Sequence, residues 1–112
     1  MSKSLNEMMA EVVAFEESKG WSPNDNQFGT SLALLHSEVS EALESFREGD
    51  WGSLGAGGKP EGVDSELTDV FIRLLSTWAQ FVKPRGADLE RMFELKMAYN
   101  RTRSHRHGGK AI

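Results

Sequence analysis

Two pairs of carboxylates stand out in this chain: Glu38 and Glu41 spaced as Glu-x-x-Glu, and Glu66 and Asp69 spaced as Glu-x-x-Asp. On a helix, residues three apart share a face, with Cβ atoms roughly 5 to 6 Å apart, so each pair can converge on one point. Two such helices side by side would offer four carboxylates to a hard divalent cation. Like charges so placed repel one another, and Mg²⁺ or Mn²⁺ would convert that repulsion into coordination. A single Glu-x-x-Glu is commonly just the wet face of a helix, because Glu is a good helix former. Two pairs on consecutive amphipathic segments are a more specific pattern.

The elements that must carry these pairs are legible as helices. The second expected helix runs from near Thr30 to near Glu48, with Leu32, Leu35, Val39, Ala42, Leu43 and Phe46 as its apolar stripe. The third runs from near Val63 to about Val82, with Val63, Leu67, Val70, Phe71, Leu74, Trp78 and Phe81 inward. At about 100° per residue, each acidic pair falls at the edge of its own stripe, where a partly desolvated site belongs. Between them, Gly49 to Gly62 is so rich in glycine that it reads as a flexible loop without regular structure.

Two further helices flank this pair. Ser4 with Glu7 forms a capping box and Gly20 a stop, which sets a first helix over about Leu5 to Lys19. Its Met8, Met9 and Phe15 read as core or subunit interface. A turn at Ser22-Pro23-Asn24-Asp25 follows. A fourth helix, about Asp88 to Arg101, carries Leu89, Met92, Phe93 and Met97 on one side and the i,i+4 pair Lys96 and Asn100 on an adjoining face. Strand-type alternation is absent throughout, so the expected class is all-α, a bundle of four to five helices.

Composition narrows the function. At 112 residues the chain is expected to be one domain, 1–112, ending in a basic tail over 102–112. It lacks cysteine, which excludes disulfides and thiolate metal sites. A formal net charge of −4 argues against stable nucleic-acid binding, and the absence of a long apolar run argues against a membrane span. The N-terminus has no signal-peptide apolar region, so a cytoplasmic location is expected. The tail concentrates Arg101, Arg103, Arg106 and Lys110 with His105 and His107 and holds no acid. An acidic body with a basic tail suits a metal-bound polyanion gripped from two sides.

The arrangement Ser37-Glu38-Val39-Ser40-Glu41, a loop, Glu66-Leu67-Thr68-Asp69, and then a helix with Lys96 and Asn100 resembles the MazG-like all-α nucleoside triphosphate pyrophosphohydrolases. That superfamily includes dimeric dUTPases and phosphoribosyl-ATP pyrophosphatases, and its signature is Glu-Glu-x-x-Glu, a spacer, then Glu-x-x-Asp. Ser37 stands where the signature has its leading Glu. The resemblance implies that Glu38, Glu41, Glu66 and Asp69 are catalytic Mg²⁺ ligands, with Mn²⁺ an alternative. It implies that Lys96 and Asn100 contact phosphate, that the tail closes over the triphosphate through Arg103 and Lys110, and that helices are shared across a homodimer or homotetramer.

The activity so implied is cleavage of a (d)NTP to a (d)NMP and pyrophosphate. The alternative from another class is a non-catalytic helical module that binds nucleotides or alarmones and uses the acids for metal-assisted binding only. Trp21 and Trp51 sit in expected loops, where an indole either anchors its own loop or stacks on a base. His36, just before the acidic motif, reads as a polar packing residue, and Trp78 as core.

Overall fold

In the computed structural model, which describes residues 2–21 and 27–103, four helices and one short hairpin follow one another along the chain. Helix α1 spans Leu5–Ser18, α2 Phe28–Arg47, α3 Val63–Thr77 and α4 Leu89–Arg101. The all-α expectation holds for the helices, with the addition of the strands β1 (Ser53–Leu54) and β2 (Pro60–Glu61). Among the described residues no helix is long and apolar enough to cross a membrane.

Helix α1 starts on the expected capping box: Ser4 Oγ accepts from Glu7 N, and Glu7 Oε1 accepts from Ser4 N. It stops in a Schellman motif, in which Trp21 N donates to Glu16 O and Gly20 N to Glu17 O, with Gly20 at φ +86°. The same device closes α2: Asp50 N donates to Ser45 O and Gly49 N to Phe46 O, with Gly49 at φ +76°. Each stop turns the chain sharply and fixes the next residue, Trp21 in one case and Asp50 in the other.

The stretch from Gly49 to Gly62 is therefore built rather than loose, which corrects the flexible-loop expectation. Asp50 accepts from Gly52 N and from Ser53 Oγ through its two carboxylate oxygens, and its carbonyl accepts from Val63 N at 2.9 Å. Trp51 O accepts from Asp64 N. The first free N–H groups of α3 are thus met by the chain leaving α2, in place of a capping side chain. Between these anchors, β1 and β2 pair antiparallel, Ser53 opposite Glu61 and Leu54 opposite Pro60. Two-residue strands are too short to leave a period in the sequence.

This clasp ties the end of α2 to the start of α3, and the two helices pack along each other as the main pairing of the fold. Aromatic contacts hold both ends of the pair: Phe46 meets Trp51 edge-on at 5.7 Å near the hairpin, and Phe28 meets Phe81 at 5.3 Å at the far end. Helix α1 lies against α3, and α4 touches α1, where Asn6 N donates to Glu90 Oε1.

Helix α3 does not run to Val82 as an α-helix. From Trp78 to Val82 it widens into a π-helical turn and then tightens into a 3₁₀ turn over Lys83–Arg85, with Gly86 at φ +89° ending it. The expected apolar stripes are only partly buried. Among the described residues, Met9, Ala42 and Leu75 are the buried apolar side chains, and Leu75, at 1% exposure, lies outside the stripe expected for α3. Val39, Leu43, Phe46 and Leu67 are exposed, because no element among the described residues covers those sides of α2 and α3.

Candidate metal centre and its cavity

The clasp sets α2 against α3 so that the two acidic motifs face one another. Glu38, Glu66 and Asp69 each offer a carboxylate oxygen, all within 4.8 Å of one another. Glu38 and Glu66 are half-buried and Asp69 is exposed, which places the group at the core boundary. Glu41 is exposed and stands outside this group of three.

The crowding has an electrostatic consequence. Burial, followed by the negative charges of Asp69, Glu41 and Glu38, raises the pKa of Glu66 above the ordinary value of 4.5, while Lys59 on the hairpin opposes the rise. Glu41 is thus close enough to act on Glu66 through its field. The donor set is all carboxylate, at the spacing of ligands around one ion, which fits Mg²⁺ or Mn²⁺ and does not suit a soft metal.

Arg73, the one basic residue between Val63 and Val82, donates to Glu38 Oε1 at 3.4 Å. It follows Asp69 by four residues and Glu66 by seven, so all three share a face of α3. That spacing, a lone cation on the acidic face of an amphipathic helix, is the mark by which the sequence could have revealed it.

Glu38, Asp69 and Arg73 line one side of a cavity of about 830 Å³ between α1 and α3. Its apolar wall includes Phe15, Trp21, Phe71 and Ile72. Another part of the wall is polar: Ser76 Oγ donates to the Glu16 carboxylate, 2.8 and 2.9 Å from its two oxygens, and Gln80 Nε2 donates to Ser76 Oγ at 3.0 Å. Glu16 also had a mark in the sequence, since it follows Met9 by seven and Val12 by four and so falls within the apolar face of α1.

Trp21 lines the cavity while remaining half exposed. Lys96 and Asn100 are exposed on α4 and are not among the residues that line it; the main packing partner of α4 is α1. Arg103 is exposed just beyond α4, where its N–H donates to Asn100 O. Lys110, Arg106, His105, His107 and the turn at Ser22 to Asp25 lie outside the described residues. His36 is exposed on α2, which corrects its reading as a packing residue. Trp78 is half-buried, with an indole N–H that is buried and unpaired among the described residues. Trp51 is exposed and packs on Phe46, anchoring its own turn.

Compared with protein-family models, curated proteins and solved structures, the chain matches none.

Proposed function

We propose that the protein is a Mg²⁺-dependent nucleoside triphosphate pyrophosphohydrolase of the MazG-like kind, converting a (d)NTP to a (d)NMP and pyrophosphate. The observation that carries this reading is the three-carboxylate group, two of whose members, Glu38 and Asp69, line a cavity of about 830 Å³, a volume suited to a nucleotide. Glu38, Glu66 and Asp69 hold the cation. When bound, it neutralises phosphate charge and lowers the pKa of a bound water.

The rest of the reaction falls to the chain. Water attacks the α-phosphorus, the bond to the bridging oxygen breaks, and pyrophosphate leaves. Glu41, outside the group of three yet near it, takes the proton of the attacking water. Arg73 leaves Glu38 to meet an α-phosphate oxygen from the cavity side. Trp21 supplies an aromatic face for the base. Lys96, Asn100, Arg103 and Lys110 reach the phosphates from a second subunit, so that each site is completed across a homodimer or a dimer of dimers.

Incubation of each (d)NTP with Mg²⁺, followed by separation of products, tests the activity. Monophosphate with pyrophosphate supports it. The ion pair between Arg73 and Glu38 favours one other reading, a binding module in which the chain's own guanidinium replaces part of the metal charge. Unchanged triphosphate together with measurable binding would establish that module instead.

A further inference from the structure

We propose that Glu16, Ser76 and Gln80 read the base of the bound nucleotide and select bases with an exocyclic amino group, cytosine, adenine and guanine, over thymine and uracil. The proposal deepens the functional reading above and rests on it in taking a nucleotide as the occupant of the cavity.

The three side chains form a chain of hydrogen bonds in the cavity wall, from Gln80 Nε2 to Ser76 Oγ and from Ser76 Oγ to both Glu16 oxygens. Ser76 is buried, at 6% exposure, and its one hydroxyl proton is committed to Glu16, which leaves it no donor for a ligand. An inventory of what remains is lopsided. Glu16 keeps free lone pairs on both oxygens, and Gln80 keeps its carbonyl oxygen and one N–H. Acceptors outnumber donors, so the wall favours a ligand edge rich in N–H groups.

Cytosine N4, adenine N6 and guanine N1 with N2 present such donors, whereas thymine and uracil turn carbonyl oxygens to either side of a single N–H. Against a carboxylate those carbonyls meet like charge and leave buried acceptors unpaired. Position supports the same assignment. Ser76 follows Asp69 by seven residues, two turns or about 10 Å along the same face of α3, so phosphate-binding and base-reading groups sit at either end of one sugar.

The backbone also departs from regularity here. Gln80 belongs to the π-helical turn Trp78–Val82, and single π turns within helices recur where a side chain has been re-aimed for function. Gln80 is the residue of that turn that reaches back to Ser76 and lines the cavity.

The test uses the full chain in EDTA, where no turnover occurs, titrated with dCMP, dAMP, dGMP, dTMP and dUMP by calorimetry and by tryptophan fluorescence. The three amino-bearing nucleotides are expected to bind about tenfold or more tightly than the other two. Glu16→Gln, which keeps an acceptor for Ser76 but adds a donor, should shrink that ratio to about twofold or less. Gln80→Glu should widen it. Ser76→Ala, a positioning change, should lower the ratio more than the mean affinity, and helical circular dichroism checks that each variant is folded. Equal binding of all five nucleotides, or binding of none, overturns the inference. Selective binding without pyrophosphate release from any triphosphate upholds the inference and removes the enzyme reading. Release from all five triphosphates at equal kcat/KM overturns the inference and leaves the enzyme reading in place.

Discussion

With Arg73 donating to Glu38 Oε1, part of the charge that a divalent cation would neutralise is already neutralised by the chain, so the cation must displace or share that guanidinium. Both side chains are partly exposed, 33% and 22%, and such pairs are modest. Arg73→Gln should therefore tighten Mg²⁺ binding by roughly two- to fivefold, read from the Mg²⁺ dependence of Tm. Glu66 is pushed the other way, because its charged form is the one crowded. A carboxyl raised above 4.5 stabilises the fold at pH below that value, and the contribution is lost as pH rises through the raised pKa. At pH 7 without divalent cation the charged Glu66 is thus a burden on the fold. Glu66→Gln should raise Tm in EDTA at pH 7, with a gain that shrinks toward pH 4, and should abolish the Tm increment given by Mg²⁺. Asp69→Asn should lose both that increment and pyrophosphate release, by about a hundredfold, whereas Glu41→Gln should lose release and keep the increment. The two acidic motifs were legible from spacing alone, and three of their four carboxylates, Glu38, Glu66 and Asp69, come together. That division into three and one was not legible, because it depends on how α2 and α3 are set against each other.

That setting belongs to the scale of elements, and it is made by the clasp between α2 and α3. Gly62, at φ +104°, lies so close to the start of the hairpin that a Cβ there would stand 2.7 Å from Gly52 N and 2.8 Å from Asp50 Oδ1. Gly62→Ala should cost about 1 to 3 kcal/mol, from backbone strain and the clash together, and should weaken Mg²⁺ binding by shifting Glu66. Gly58, also at positive φ but with nothing within 4 Å, is the control: Gly58→Ala should carry the backbone strain alone and leave Mg²⁺ binding unchanged. Chemical denaturation with and without Mg²⁺ measures both. The helix stops at Gly20 and Gly49 could be read from glycine placement, since a left-handed residue after a helix calls for one. The clasp could not, because its order comes from the Asp50 carboxylate and carbonyl meeting groups up to thirteen residues away. The π-helical turn likewise has no pattern of its own in the residues Trp78–Val82.

At the scale of the molecule, one chain does not bury what its stripes provide. The radius of gyration is 16.7 Å, where a compact domain of this length would have about 13 Å. Val39 and Leu43 on α2 and Phe93 and Tyr99 on α4 are exposed together with much else that is apolar. The proposed dimer explains this surface and the distance of Lys96 from the cavity by one arrangement, in which α4 of one subunit serves the acidic helices of the other. The stripes read from sequence are apolar faces that this chain covers only in part, Ala42 among the covered residues, and a periodicity does not say which part of a face is covered. Complementation separates the subunits' roles. Asp69→Asn chains and Lys96→Ala chains, each inactive alone, should on unfolding and refolding together regain about a quarter of wild-type activity, because half the dimers are mixed and each mixed dimer has one intact site. If Lys96 served its own chain's cavity, every site in the mixture would lack one of the two groups and no activity would return. Phe93→Glu should then convert the dimer to monomer in sedimentation, remove the concentration dependence of Tm, and abolish release even with all four acids in place.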